Sequence, residues 1–268
     1  MLVDRRSLPA LHRVFLNRAL PTLTSQRWLV GIAASGSFAT DTMDEFSDLD
    51  LTLAVEDDHY DDVLNSRTEI AKTLGHLLTA FIGEHVGEPR LLLCLYGPPL
   101  LHVDFVFTTL SGTVRRVDEP VVLWERGERL TQVLQHSEPV SYNVDHQWIE
   151  DRIWVWVHKA ASKIGRGELF EVIEYLAFLR KRILGPLCLE EAGQKPSGLR
   201  EVERAASQRS EELRATVGSH EARECLLALR ATVGLYQSLR RSGIERRDEA
   251  EAAVEKYLVD LESRLNRV

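Results

Sequence analysis

Residues 48–55 read Asp-Leu-Asp-Leu-Thr-Leu-Ala-Val, and this alternation restricts the fold more than any other stretch. A period of two is the pattern of an extended strand with one buried face. Leu49, Leu51, Leu53 and Val55 must leave on one side and Asp48, Asp50 and Thr52 on the other. Coiled into a helix, the same leucines would scatter around the axis and bury nothing in common. The segment therefore predicts a strand with apolar packing behind it and two carboxylates in front.

Its neighbours supply the packing. Leu8 to Leu20 has helical spacing, with Pro9 near its start. Trp28 to Ala34 is a short apolar strand ended by Ser35-Gly36-Ser37, and a long helix is expected from about Tyr60 to His85. Arg90 to Tyr96 and Leu101 to Phe107 read as strands separated by the turn Gly97-Pro98-Pro99, and Pro120 to Trp124 adds another. Beyond about Tyr142 the strand patterns stop and apolar residues recur at helical spacing. One helix should run from an Asp145 N-cap to Ile164 and a second from Glu168 to about Leu184, closed or kinked by Gly185-Pro186. Gly193 to Gly198 reads as a loop, and Ala222 to Arg241 and Asp248 to Leu265 as further helices. The expected class is α+β: residues 1–141 form a mixed sheet flanked by helices, and residues 142–268 an all-helical bundle.

Charge and cysteine usage narrow the partners. A formal net charge of −8 repels a polymer of phosphates unless basic groups are gathered on one face, so long nucleic acid is not expected as the substrate. Arg240, Arg241, Arg246 and Arg247 cluster, but among glutamates, as on a solvated helix surface. Cys94, Cys188 and Cys225 lie far apart in apolar stretches with no metal-type spacing, and read as small core residues of a reducing compartment. The N-terminal segment lacks an uninterrupted apolar run, and no stretch approaches the roughly 18 apolar residues of a membrane helix, so a soluble cytoplasmic protein without membrane association is expected.

Two aspartates at i and i+2 of an apolar strand need a reason, because like charges one pleat apart repel unless a cation lies between them. A divalent ion with hard oxygen ligands is such a cation, and Mg²⁺ commonly combines one or two carboxylates with substrate phosphates. The strand Leu101 to Phe107 repeats the pattern: Val103, Phe105 and Phe107 share a face and Asp104 points the other way. Taken singly, each aspartate reads as a turn cap or a surface partner of arginine; three together point to a metal site. His102 shares the face of Asp104. Gly36-Ser37 follows a strand and opens a helical turn, where free backbone N–H groups and a hydroxyl suit a phosphate. Lys159 and Lys163 lie one turn apart on one face of a helix, the spacing of a solvated pair or of a cation pair turned to one ligand. Trp148, Trp154 and Trp156 read as packing or as a stacking platform. Glu168, Glu171 and Glu174 read as a solvated face or as an attractor for a cationic ligand.

The segment GSFATDTMDEFSDLDL resembles the signature of the DNA polymerase β-like nucleotidyltransferase superfamily: Gly-Ser, about ten residues, Asp-x-Asp heading a strand, and a third aspartate on a later strand. Gly36, Ser37, Asp48, Asp50 and Asp104 hold the matching places, and the resemblance covers residues 25–110 or so. The helical second half is similar to the small-molecule branch, which includes aminoglycoside and lincosamide nucleotidyltransferases. Thr40-Asp41 stands where many members carry Arg-Gly, which removes one phosphate contact.

The resemblance implies two Mg²⁺ ions, ATP or another nucleoside triphosphate as co-substrate, and transfer of AMP to a hydroxyl of a small acceptor with release of pyrophosphate. It implies Asp48 and Asp50 as metal ligands, Asp104 as third ligand or general base, and Gly36, Ser37, Lys159 and Lys163 as contacts to the nucleotide. A protein acceptor, a non-catalytic nucleotide binder and a homodimer remain open.

Overall fold

The computed structural model describes residues 8–140 and 143–267. The readings made above of residues 1–7 and of the boundary positions Ser141 and Tyr142 lie outside them. The chain divides into two compact units, residues 1–141 and 142–268.

The first unit opens with α1 (Ala10–Thr24), whose buried face carries Phe15, Leu16, Ala19, Leu20 and Leu23. This helix runs a turn further than its sequence pattern, straight through Pro21. The proline lies in the final turn, and the hydroxyls of Thr22, Thr24 and Ser25 bond to carbonyls of that stretch. Strand β1 (Leu29–Ala34) follows, buried along its whole length, then a one-turn helix α2 (Gly36–Ala39) and strand β2 (Leu49–Val55).

The segment 60–85 departs from expectation. Instead of one long helix it forms α3 (Tyr60–Thr73), a turn at Gly75, and strand β3 (Leu77–Gly83). Strand β3 lies at the sheet edge with Leu78 and Phe81 exposed, so its leucines lack the in–out alternation that marks a half-buried strand. Strands β4 (Glu88–Tyr96), β5 (Leu101–Thr109) and β6 (Val121–Glu125) complete the sheet, and a short helix α4 (Arg129–Gln135), which has no clear signal in the sequence, closes the unit.

The sheet is mixed, in the order β3-β4-β5-β2-β1-β6. Only β2 and β5 run parallel to each other, and every other neighbour is antiparallel. One face packs against α1 and α3 through Leu49, Leu51, Leu53, Val103, Phe105 and Phe107. On the other face, α4 covers only part of the surface, where Leu130 and Leu134 pack on Val30, Ala33 and Ala54.

The second unit is helical. Its longest element, α5 (His146–Gly165), starts at Asp145, whose side chain accepts a hydrogen bond from the Trp148 backbone N–H at 2.8 Å. Helix α6 (Leu169–Leu179) leads into a wide π-type turn, Arg180–Leu184, and on into α7 (Gly185–Glu191). Gly185-Pro186 therefore does not end the helix. The wide turn absorbs the missing proline N–H. Short helices α8 (Val202–Ala205) and α9 (Ser210–Ala215) precede α10 (Ala222–Leu239) and α11 (Asp248–Leu265). Ile153, Val157, Leu176, Leu229 and Leu258 meet in one apolar core. Glu150 is buried in the same unit and is held by Trp154 Nε1, the Tyr236 hydroxyl and the Arg247 backbone N–H. Arg240 and Arg247 are not merely solvated: they pair with Glu251 and Asp151 at 2.7 Å each.

Among the described residues, no helix is long and apolar enough to cross a membrane. All three cysteines are free and buried.

Candidate metal centre

The pleat of β2 sends Leu49, Leu51 and Leu53 into the core, which leaves Asp50 on the open side of the sheet and Asp48 just ahead of the strand. Strand β5 does the same with Val103, Phe105 and Phe107 against His102 and Asp104. Because β2 and β5 are parallel neighbours with Asp50 opposite Asp104, both carboxylates emerge on one face at one level. Asp48, Asp50 and Asp104 each offer a carboxylate oxygen, and these oxygens lie within 4.8 Å of one another.

Anchors on both sides fix this geometry. The Ser35 backbone N–H donates to the Asp50 carbonyl at 3.0 Å, which ties the end of β1 and the following turn to the carboxylate strand. Gly36 takes φ of 58°, a backbone state that costs an L side chain roughly 1–2 kcal/mol, so glycine is required where the turn starts. Between the turn and β2, Asp44 accepts from the Phe46 N–H and the Ser47 hydroxyl, both at 3.0 Å. The buried His12 places Nε2 2.6 Å from the Ser47 carbonyl, so that nitrogen carries the proton. His12 thus steers the chain into Asp48 from far away in sequence, and no local motif marks it.

Asp104 is in an unusual environment. Its Oδ1 is buried and accepts no well-formed hydrogen bond from the described residues. His102 Nε2 lies 2.8 Å from this oxygen, close enough for charge attraction but outside hydrogen-bond alignment. Burial raises the proton affinity of Asp104 above the ordinary carboxylate range, His102 opposes the rise and Asp48 adds to it. A buried, underused carboxylate oxygen next to two further carboxylates matches what a hard divalent cation requires. On this donor chemistry the residues fit Mg²⁺.

The other expected contacts fare differently. Gly36 and Ser37 open the turn beside β2, partly exposed. In the place of the Arg-Gly pair, the Thr40 hydroxyl lies 3.3 Å from the Gly36 carbonyl and 3.4 Å from that of Ser37, so this position closes the turn on itself rather than offering a cation. Lys163, in the second unit, pairs with Glu168 and with Glu171 at 2.8 Å. Two members of the glutamate series are thus engaged within their own unit. Lys159 lies 5.2 Å from the centre of the Tyr175 ring. Trp154 is buried, whereas Trp148 and Trp156 are half-buried at the edge of the helical core.

No family model matches the chain, and no curated protein matches it. Among solved structures, an aminoglycoside 6-adenyltransferase from Bacillus subtilis is similar over 92% of this chain and 97% of its own, with 12% identity and a TM-score of 0.38. A nucleotidyltransferase-like protein from Exiguobacterium sibiricum is similar over 84% of this chain and 74% of its own, with 14% identity and a TM-score of 0.36. Neither likeness is close enough to bear on the chemistry of the site.

Proposed function

We propose that the chain is a Mg²⁺-dependent nucleotidyltransferase that moves AMP from ATP to a hydroxyl of a small acceptor of the aminoglycoside or lincosamide kind. The observation that carries the reading is the convergence of Asp48, Asp50 and Asp104 on one face of the sheet, with their oxygens within 4.8 Å. Residues 1–141 would form the catalytic domain and residues 142–268 the acceptor-binding domain, in a protein of the cytoplasm.

Asp48, Asp50 and Asp104 would hold the metal. When bound, divalent ions stabilise charge on the phosphoryl oxygens and on the departing pyrophosphate. The protein's own part is to position the reactants. Gly36 and Ser37 present a backbone turn and a hydroxyl to the phosphates beside β2. Lys159 and Lys163 would supply further positive charge. The acceptor oxygen forms a bond to the α-phosphorus, the bond from that phosphorus to the bridging oxygen breaks, and pyrophosphate leaves with the electron pair. The acceptor's proton goes to a general base at the site, a role that falls to Asp104 where it does not serve as the third metal ligand.

The test is incubation with labelled ATP, Mg²⁺ and a panel of aminoglycosides and lincosamides. Pyrophosphate release that disappears in D48N and D50N supports the reading, and release that persists in both would remove it. Mass spectrometry of the products separates a small acceptor from a protein one, because only a protein acceptor leaves a mass increment on a polypeptide. ATP binding without any pyrophosphate release would make the chain a nucleotide-binding protein.

A further inference from the structure

We infer that the outer face of α5 and α6 is a binding surface for single-stranded nucleic acid. On α5, Trp148, Arg152, Trp156 and Lys159 recur every three or four residues, to one side of the buried row Ile149, Ile153, Val157 and Ala160. Tyr175 and Phe178 on α6, and Arg182 in the turn after it, extend the same face. The rings form a connected series: Trp148 to Trp156 at 5.4 Å, Trp156 to Phe178 at 5.1 Å and Phe178 to Tyr175 at 6.5 Å between centres.

Cations lie over this series. Arg152 sits 4.6 Å and Arg182 5.9 Å from the Trp148 ring centre, and Lys159 5.2 Å from that of Tyr175. Among the described residues, no carboxylate pairs with any of the three. Of the nearby acids, Asp151 pairs directly with Arg247 at 2.7 Å and feels Arg152 only at longer range, and Glu171 pairs with Lys163 at 2.8 Å. In a chain of net charge −8, three cations are thus gathered on π surfaces without a direct carboxylate partner.

A complementary partner must bring negative charge and exposed planar groups together. Single-stranded nucleic acid does so, with bases that stack on aromatic rings and phosphates that meet the arginines. A duplex hides the faces of its bases, and an anionic membrane offers charge without planar groups. The charge objection to nucleic acid raised by the composition falls away locally, because the basic groups are gathered on one face.

Apart from Lys159 the surface shares no residue with the transferase reading, and its test uses neither ATP nor metal. A fluorescein-labelled oligothymidylate of about ten nucleotides, within the site sizes typical of such surfaces, is titrated with the full chain while anisotropy and tryptophan emission are followed. Binding with quenched emission is expected at low salt. The R152Q/R182Q variant, which leaves Lys159 in place, should bind at least tenfold more weakly. Its log–log salt slope should fall by about 1.4, at roughly 0.7 per phosphate contact on a single strand. D48N should bind like the wild type, which separates failure here from failure of the metal site. No binding at about 50 mM salt, where counterion release still favours association, would overturn the inference. So would equal affinity of R152Q/R182Q, or binding to phosphatidylserine vesicles in place of the oligonucleotide.

Discussion

Asp50 and Asp104 face each other across the parallel pair β2 and β5. Two carboxylates in register, with Asp48 beside them, repel in the absence of a cation. The D104N variant is therefore expected to melt at a higher temperature than the wild type in EDTA, by the equivalent of about 0.2–1 kcal/mol for a relieved like-charge pair. It should also lose the gain that Mg²⁺ or Mn²⁺ gives the wild type, because binding to the folded state alone is what stabilises. Thermal melts of both proteins with and without metal check this, and a D104N protein less stable than the wild type in EDTA would contradict it.

Buried Glu150 gives the helical unit an acid-sensitive core. Burial by itself would raise its proton affinity, but the Arg247 N–H, the Tyr236 hydroxyl, Trp154 Nε1 and the charge of Arg240 outweigh burial and hold it below the ordinary glutamate value. The contribution is therefore fully present above the unfolded value of about 4.3–4.5. It is lost as pH falls through the lower folded value, where the unfolded chain takes up the proton first. Urea melts should show this acid limb in the wild type and its flattening in E150Q. At neutral pH, E150Q should be less stable by about 3–5 kcal/mol, the usual cost of leaving a buried charge network without one partner.

The thiols are expected to be inert in the native protein. Burial pushes Cys94 and Cys188 up to about 12 and raises Cys225 as well, and a thiol held protonated is a poor nucleophile. A disulfide-exchange reagent at pH 8 should titrate none of them until denaturant is added, and then all three.

Gly185 lies against the loop that ends at Gly198: a Cβ there would sit 2.2 Å from the Gly198 carbonyl oxygen. G185A must push backbone from backbone, at about 1–3 kcal/mol by analogy with overpacked cores. Denaturant midpoints of G185A and of the nearby surface variant Q194A compare the two, and only the first should move.

The carboxylate cluster was legible because acids inside an apolar strand break its propensity, and both strands carry that mark at Asp50 and Asp104. What sequence could not supply was neighbourhood. Nothing local says that β5 lies beside β2, since pairing depends on the order of the whole sheet. Strand β3 was hidden because an edge strand with exposed Leu78 and Phe81 keeps apolar residues on both faces, and its leucines then mimic the spacing of a continuing helix. Lys163 was correctly placed one turn from Lys159, but the glutamates that engage it come from beyond the helix end at Gly165-Arg166-Gly167. Ion-pair choices of that kind are made by tertiary approach and leave no spacing to read.

The order of strands has a kinetic consequence. Strands β2 and β5 are adjacent in space, yet α3, β3 and β4 lie between them in the chain. The two halves of the carboxylate cluster cannot meet until a loop of about fifty residues has closed, an entropic cost that slows non-local pairing. Acquisition of metal affinity should therefore trail the recovery of helical signal during refolding, making ion binding a clock for the docking of β5 on β2.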